Sequence, residues 1–179
     1  FVKQHRNPLL LEAEARGLEA LAASLRVPRV VHCYSSSEGG VLILEHLPIA
    51  SLTGSNQWMA AGAALACLHR VEGPARYGSH PDNFIGASPQ SNADHGDWIT
   101  FFANERLTPQ LQRATQRGLP PEAAERTARV IEQLDRWLAS RPPCARVPGD
   151  LWQGNLGQGA GLLRLYGSLL HGHRQLVVD

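Results

Sequence analysis

The first 47 residues, FVKQHRNPLLLEAEARGLEALAASLRVPRVVHCYSSSEGGVLILEHL, decide the fold class that the sequence predicts. They open on Phe1–Lys3, which reads as the end of a strand. Leucines that recur at helical spacing among Ala and Glu predict a helix over Glu12–Leu25. Two valine-rich segments, Val27–Tyr34 and Val41–His46, predict extended chain on either side of a turn. The pattern is therefore strand–helix–strand, which is typical of a small α/β unit.

Beyond residue 47 the pattern becomes mainly helical. Helices are predicted over Gln57–Val71, Trp98–Gln116 and Pro121–Ala139. The polar segment Gly73–Asp97 is predicted to be a long loop, and loops of that length are usually functional or disordered. After Ala145 a short strand, Leu162–Tyr166, interrupts a predicted loop. We therefore expect an α+β fold, with a ligand cleft between a first part over residues 1–47 and a helical part over 48–179.

Composition excludes several classes of function. The 179 residues carry 17 basic and 16 acidic side chains, and no basic stripe indicates a nucleic-acid partner. No apolar run approaches the roughly 20 residues that a membrane helix needs. The cysteines Cys33, Cys67 and Cys144 are scattered, without the paired spacing of a zinc site or a disulfide framework. These features favour a soluble protein of a reducing cytoplasm, of undetermined oligomeric state.

The strongest signal for chemistry is the segment GDLWQGN, residues 149–155. Asp150 could orient an acceptor hydroxyl and take its proton, while the amide oxygen of Asn155 could hold Mg²⁺. The flanking glycines allow the backbone to turn sharply enough to direct both side chains to one point. Because an aspartate and an asparagine at this spacing are common by chance, a simple polar turn is the alternative interpretation.

Two further features follow the order of a kinase. Lys3 ends an apolar strand and Glu14 follows on a helix, as do the lysine that holds nucleotide phosphates and its glutamate partner. The apolar strand Val41–Leu47 runs into a linker between the two parts, where an adenine ring could dock on backbone groups. The alternative for Lys3 and Glu14 is a pair of solvated surface charges.

These motifs, with others along the chain, resemble the fructosamine kinase (ketosamine-3-kinase) family in sequence and order. The shared motifs are Phe1–Lys3, Glu12–Leu18, Val27–Pro28, Leu44–Leu47, Leu65–Arg70, Asp82–Gly86, Pro89–Asn92, Asp97–Phe102, Arg106–Leu111 and Gly149–Asn155. The resemblance implies a protein-kinase-like fold of two lobes, related to aminoglycoside kinases. Residues 1–47 would form an incomplete N-terminal nucleotide-binding lobe with its hinge, and 48–179 a helical C-terminal lobe. It also implies ATP-dependent, Mg²⁺-dependent phosphorylation of a ketosamine, either a small molecule or a protein adduct.

The resemblance also implies a role for individual residues. Asp150 would be the catalytic base; Lys3, Glu14, Glu45 and Leu47 would bind nucleotide; Trp152, Asp82 and Asn83 would bind substrate; Asn155 and Asp179 would bind metal. For Trp152 a core position is the alternative, and Trp58, Trp98 and Trp137 are expected in the core. His95-Gly96-Asp97 imitates the start of a catalytic loop, but Phe102 stands where the asparagine belongs, so Asp150 is the better candidate base.

The chain departs from the family pattern at several points. It begins at the nucleotide lysine, and Pro148 replaces a histidine before Gly-Asp. The favoured register places Tyr166 at the position of the metal aspartate, and a phenol is a poor Mg²⁺ ligand; Asp179 is the alternative ligand. The chain also stops where the family continues, which implies a truncated or divergent member. The competing hypothesis is a catalytically impaired, kinase-like binding protein.

Overall fold

A computed structural model of the chain describes residues 1–48, 50–71, 73, 75–78, 80–138, 141–147, 151, 153–159 and 162–165. The described chain forms two compact units. Unit 1 consists of the described residues of Phe1–Glu72, Asn83–Pro89 and Ala145–Val178. Unit 2 consists of those of Gly73–Asp82 and Gln90–Cys144. In both units the described helices are too short or too polar to cross a membrane.

In chain order, the elements are β1 (Val2–His5), α1 (Pro8–Ala22), β2 (Val30–Ser36), β3 (Gly39–Leu44), α2 (Ser55–Arg70), β4 (Asn83–Ile85), β5 (Ser88–Gln90), α3 (Trp98–Phe101), a π-helical segment (Phe102–Leu107), α4 (Thr108–Gln116), α5 (Pro121–Glu132), α6 (Leu134–Trp137), a 3₁₀ turn (Gln153–Asn155), β6 (Leu156–Gly159) and β7 (Leu162–Leu165).

Unit 1 is built on a three-stranded antiparallel sheet with strand order β1–β3–β2. Leucines of α1, among them Leu11, Leu18 and Leu21, share one hydrophobic cluster with Leu42 and Leu44 of β3. Burial of each such side chain contributes roughly 1.5–3 kcal/mol. The predicted strand–helix–strand pattern of this region is confirmed.

The α1 helix begins four residues earlier than predicted. Its N-cap is Asn7, whose side-chain oxygen accepts a hydrogen bond from the Leu9 amide at 3.2 Å. Pro8 occupies the first helical position, where its missing N–H costs no helical hydrogen bond. The helix stops at Ala22 rather than Leu25, and the Ser24 and Leu25 amides both donate to the Leu21 carbonyl.

The segment Gly73–Asp97 is not one long loop, because it contains a small hairpin. Strands β4 and β5 form a two-stranded sheet, and Gly86 in the turn has φ +59°, which favours glycine. Each strand has three residues, and β5 contains Pro89, so neither gives the alternation that predicts a strand.

The predicted helix Trp98–Gln116 is helical throughout, but it widens into a π-helical segment in the middle. There, the Thr108 amide donates to the carbonyl of Ala103, five residues earlier. The next residue, Pro109, has no N–H and would crowd the carbonyl of Glu105 in a regular α-helix. The wider turn accommodates the proline without ending the helix.

Two of the tryptophans expected in the core are wrongly assigned. Trp137 is 66% exposed and Trp58 is 41% exposed. The helix predicted over Pro121–Ala139 is interrupted at Gln133, so Leu134 is buried while Val130 is exposed. An unbroken helix would place Val130, Leu134 and Trp137 on one apolar face, and this face does not form.

Unit 2 has an aromatic centre. Phe101 is fully buried, and the rings of Tyr77 and Trp98 lie 6.1 and 6.0 Å from it, measured between centroids. Close by in sequence, Gly78 is buried with φ +88°, and a Cβ there would lie 2.2 Å from the Ala93 carbonyl oxygen. Two stretches of backbone therefore approach each other here as closely as only glycine permits.

Candidate active site

The structure pairs Lys3 with Glu14 inside unit 1. Lys3 lies on β1 opposite Leu42 of β3 and is 7% exposed, and Glu14 on α1 is 1% exposed. The Lys3 Nζ donates to Glu14 Oε1. The sequence left solvated surface charges as the alternative, and the burial of both residues excludes it.

Through Glu45, the linker after β3 forms hydrogen bonds with the residues that directly precede β2. Its carboxylate accepts hydrogen bonds from the Arg26 guanidinium and from the Arg29 amide at 3.1 Å. The Arg26 hydrogen bond, supported by that of Arg29, lowers the pKa of Glu45 to about 2. The Glu45 amide in turn donates to the Arg29 carbonyl at 2.9 Å, and Leu47 is buried. The Glu45 side chain thus holds the linker in place.

The chain beyond the linker meets the segment that follows the candidate catalytic loop. Ala50 and Gln158 exchange two backbone hydrogen bonds of 2.9 Å each. Gln158 lies on β6, which pairs with β7 and begins directly after Asn155. Within unit 1, the linker and the candidate metal ligand are therefore connected through paired backbone.

Asn155 closes a 3₁₀ turn and is 6% exposed. The next residue, Leu156, belongs to the hydrophobic cluster of unit 1, so the turn is anchored by the core. The strand β6 was predicted as loop, because its four residues LGQG carry two glycines and no apolar alternation. The predicted strand at Leu162 is confirmed as β7.

Several predicted residues lie outside the described residues. They are Asp150, Trp152, Pro148, Tyr166 and Asp179. Leu151, between the candidate base and the tryptophan, is 40% exposed. The roles assigned to this group remain predictions.

A contact that sequence reasoning missed connects α1 to the chain that leads into this loop. The Arg146 Nη1 donates to the Ala20 carbonyl at 2.6 Å. Ala20 lies in the last turn of α1, where carbonyls lack partners within the helix and carry the negative end of its dipole. The helix that carries Glu14 is thereby joined to a residue four positions before Asp150.

The predicted substrate residues Asp82 and Asn83 lie at the start of the β4–β5 hairpin. Asp82 is exposed, and its Oδ1 accepts a hydrogen bond of 2.8 Å from the Asn92 amide. The Asn92 side chain is buried and donates through Nδ2 to the Pro81 carbonyl at 3.0 Å. Asn92, which follows the hairpin, therefore forms hydrogen bonds with both residues that precede it, Pro81 and Asp82. The bond to Asp82 fixes the direction of its carboxylate.

The π-helical segment supplies two further residues to this region of unit 2. Arg106 donates from Nη1 to the Ser91 carbonyl at 2.7 Å and from Nη2 to Asn92 Oδ1 at 2.6 Å. Its guanidinium also lies 4.4 Å from the centroid of the Phe101 ring. The sequence placed Arg106 at the start of a shared motif but assigned it no role, since a helical arginine is usually solvated.

The neighbouring Glu105 lies 2.9 Å from the His95 ring, between Oε1 and Nε2. Burial by itself would raise the pKa of Glu105, but hydrogen bonds from Ser91 and His95 and the charge of Arg106 outweigh it and lower the pKa. Consecutive residues of the π-helical segment thus hold two points of the same loop.

Asp97 has a structural role at the start of α3. It is the N-cap of α3, and its Oδ2 accepts from the Thr100 amide at 2.9 Å. That hydrogen bond is the main cause of the lowered pKa of Asp97, and the nearby Arg141 guanidinium adds to it.

Among the described residues, no three His, Cys, Asp or Glu side chains cluster in a way that could hold a metal ion. Asn155 is buried and precedes Leu156 of the core, and its side-chain amide oxygen fits a single ligand of Mg²⁺.

Comparison with known proteins agrees with the motifs. The sequence model of the fructosamine kinase family matches residues 1–164. A "probable ketoamine kinase" of Synechocystis is 42% identical over 162 residues, which cover 87% of this chain and 53% of that protein. A chloroplastic protein-ribulosamine 3-kinase of rice is 35% identical, over 87% of this chain and 47% of its own length. The chain thus spans about half the length of these relatives.

Solved structures share the fold. A Thermobifida fusca protein described as a "putative fructosamine-3-kinase" superposes with a TM-score of 0.76 at 29% identity, over 92% of this chain and 56% of that one. A Haemophilus somnus protein of the same description superposes with the same TM-score at 23% identity, over 97% and 57%. With the family match over nearly the whole sequence, these findings establish that the chain belongs to the fructosamine kinase family.

Proposed function

We propose that the protein transfers the γ-phosphoryl group of ATP to a hydroxyl of a ketosamine. The observation that carries this proposal is the buried Lys3–Glu14 pair, which joins a strand lysine to a helix glutamate in the arrangement kinases use to hold nucleotide phosphates. A buried ion pair often adds no net stability compared with nonpolar side chains of similar size. The pair is therefore better explained by a role in nucleotide binding than by a purely structural role.

In this proposal the chain supplies parts of both lobes of a protein-kinase-like fold. Residues 1–47 would belong to the nucleotide-binding lobe, with Glu45 and Leu47 in the hinge that meets the adenine ring. Residues 48–179 would belong to the catalytic lobe. Ala50 and Gln158, which pair through their backbones, would both belong to the catalytic lobe, next to the hinge.

The reaction assigns a task to each candidate residue. The substrate hydroxyl oxygen attacks the γ-phosphorus, the new O–P bond forms, and the bond from that phosphorus to the β–γ bridging oxygen breaks to release ADP. Asp150 accepts the hydroxyl proton, and Lys3 balances the negative charge of the phosphates. Asn155 would hold Mg²⁺, with Asp179 as the second candidate ligand, because the phenol of Tyr166 is a poor ligand for this ion. A bound Mg²⁺ would neutralise charge on the phosphate oxygens.

Ketosamines are the substrates suggested by the names of the relatives, a ketoamine kinase and a ribulosamine 3-kinase. The second name specifies the 3-position, so we propose the 3-hydroxyl as the acceptor. Trp152 offers a flat apolar face to a sugar ring. Asp82 and Asn83 offer oxygen and nitrogen atoms that can hydrogen-bond to the remaining sugar hydroxyls.

The test is mass-spectrometric detection of phosphate transfer from Mg²⁺-ATP to fructose-lysine. We expect transfer by the protein, and a loss of at least about a hundredfold in rate in the Asp150→Asn variant, because general base catalysis typically contributes 10²–10⁴-fold. The matched control is Asp135→Asn on α6, an exposed aspartate that should leave the rate unchanged.

Two results would contradict the proposal in different ways. If the folded protein shows no transfer but Mg²⁺-ATP still raises its melting temperature, the nucleotide site is intact and the ketosamine assignment is wrong. If neither transfer nor a nucleotide-dependent shift occurs, the kinase function itself is wrong and the protein is a binding protein only.

A further inference from the structure

We propose that Arg106 is a positioning residue for the ketosamine site, acting through Asn92 on the carboxylate of Asp82. This role rests on the proposed function, in which Asp82 contacts the substrate. It gives a task to a residue that the sequence placed in a shared motif without a role.

The first step is the chain of contacts within unit 2. The backbone N–H of Asn92 donates to Asp82 Oδ1 at 2.8 Å, so Asn92 sets the direction in which the carboxylate points. Arg106 Nη2 donates to Asn92 Oδ1 at 2.6 Å, and Nη1 donates to the carbonyl of the preceding residue, Ser91, at 2.7 Å. The guanidinium therefore fixes both the side chain and the backbone of the segment that holds Asp82.

The second step is the position of Arg106 itself. Its guanidinium is stacked near the fully buried ring of Phe101, with 4.4 Å from Cζ to the ring centroid. An aromatic ring attracts a cation placed over its face, which restricts the long side chain to one arrangement. The Arg106 side chain is thus restrained by its contacts, and its hydrogen bonds restrict the conformations of the loop that contains Ser91 and Asn92.

The third step is the helix that carries it. Arg106 follows Glu105 in the π-helical segment, and Glu105 contacts His95, at the far end of the same loop. Interruptions of this kind within α-helices frequently occur at functional sites. Here the segment presents two successive side chains to Ser91–Asn92 and to His95, so that the loop after the hairpin is held at two points.

The chemistry of the substrate explains why the direction of Asp82 matters. A ketosamine carries several hydroxyl donors and a secondary amine that is cationic near neutral pH. An exposed carboxylate with one oxygen already oriented by Asn92 can accept hydrogen bonds from these donors without first ordering its own loop. Preorganisation of this kind improves affinity by reducing the ordering cost of binding.

The planar fork of arginine is needed for this role. Two nitrogens about a single carbon reach Ser91 and Asn92 at the same time, whereas the single ammonium of lysine is a compact point charge. Arg106→Lys therefore keeps the charge and loses the two-pronged contact. Its comparison with Arg106→Gln separates the effect of geometry from that of charge.

The experiment measures steady-state kinetics with fructose-lysine and Mg²⁺-ATP, together with hydrogen exchange of the Asn92 amide. For both Arg106 variants we expect the KM for fructose-lysine to rise roughly tenfold, since preorganisation acts mainly on binding. We expect kcat and the KM for ATP to change by less than about twofold, and the Asn92 amide to exchange faster. The matched control is Arg129→Gln, an exposed arginine on α5, which should change none of these.

The possible failures are distinguishable. An unchanged KM for fructose-lysine, or unchanged exchange at Asn92, in a variant that still transfers phosphate would overturn the role of Arg106 and leave the proposed function standing. Changes in kcat and in the KM for ATP as large as the change in the KM for fructose-lysine would show a general loss of structure and would also overturn the role of Arg106. Absence of transfer by the unsubstituted protein would overturn the proposed function, and this role with it.

Discussion

Unit 1 and unit 2 are stabilised in different ways. The described core of unit 1 is a continuous cluster of aliphatic side chains, mostly leucines, which surrounds a single buried ion pair. In unit 2 the centre is Phe101 with half-buried aromatic rings around it, and the order comes from polar contacts such as those of Asn92 and Arg106. Unit 1 holds the Lys3–Glu14 pair inside its nonpolar core, while unit 2 holds its loops with hydrogen bonds between polar side chains and the backbone.

This difference indicates how each unit responds to substitution. In the buried core of unit 1, removing side-chain atoms lowers the free energy of unfolding, and leaving a charge unpaired lowers it further. Near the surface of unit 2 water can replace a lost partner, so the same chemical change should cost less stability and should affect the order of a loop instead.

The largest effect is expected when the buried pair of unit 1 is broken. Glu14→Gln leaves the Lys3 ammonium without a counter-charge in a buried site, and we expect a loss of about 3–5 kcal/mol in the free energy of unfolding. Glu105→Gln makes the same change in the less buried pair of unit 2 and should cost clearly less. Urea denaturation of both variants tests the order.

A double variant completes this test. Lys3→Met removes the stranded charge from the Glu14→Gln protein, and it should recover part of the lost stability, because a buried ion pair can often be replaced by nonpolar groups without net cost. Equal losses for Glu14→Gln and Glu105→Gln, with no recovery in the double variant, would contradict the distinction between the two units.

A second, smaller effect is expected in the leucine core. Leu18 is 2% exposed and Leu9, on the same helix, is 55% exposed. Leu18→Ala should destabilise the protein by about 2–5 kcal/mol through lost burial and a residual cavity. Leu9→Ala should lie within about 0.5 kcal/mol of the unsubstituted protein, since it is a surface change. Similar losses for both would mean that α1 does not pack through the predicted face.

The smallest effect is expected at the surface of unit 2, where Asp97 caps α3. The folded-state pKa of this group lies below the usual 3.8, so its contribution to stability is present above that pH and is lost as the pH falls through the folded value. Asp97→Ala should lower the melting temperature slightly at pH 7, and less so near pH 3.

Asp97→Asn serves as the control for this pH dependence. Asparagine is as good an N-cap as aspartate, so most of the stability at pH 7 should remain, but the titration is gone. A melting temperature of Asp97→Asn that depends on pH as strongly as that of the unsubstituted protein would assign the acid sensitivity to other carboxylates.

The sequence predicted the elements of residues 1–47 well because their signals are local and repeated. Leucines at helical spacing, a valine-rich strand and a lysine followed by a glutamate are each readable within about a dozen residues. The pairing of Lys3 with Glu14 was proposed from the order of lysine and glutamate in kinases, with solvated surface charges as the alternative. Even in this region the predicted start of α1, Glu12, lies four residues after its start in the structure, Pro8.

Unit 2 and the short strands were harder to predict because their causes are not local. Arg106 acquires its role from Ser91 and Asn92, which lie 15 and 14 residues away along the chain. The π-helical segment follows from Pro109 within a helical pattern, a signal that was available but was read as a continuous helix. Trp137 was expected in the core, whereas the helix that was predicted to carry it breaks at Gln133 and its side chain is exposed.

The close approach at Gly78 has a consequence for how this sequence can vary. A methyl group there would meet the Ala93 oxygen at 2.2 Å, and the left-handed backbone would disfavour any other residue as well. Gly62, on α2, has nothing within 4 Å of an added Cβ. During evolutionary divergence Gly62 can be replaced by alanine without a steric clash, whereas any replacement of Gly78 requires the backbone at Ala93 to move.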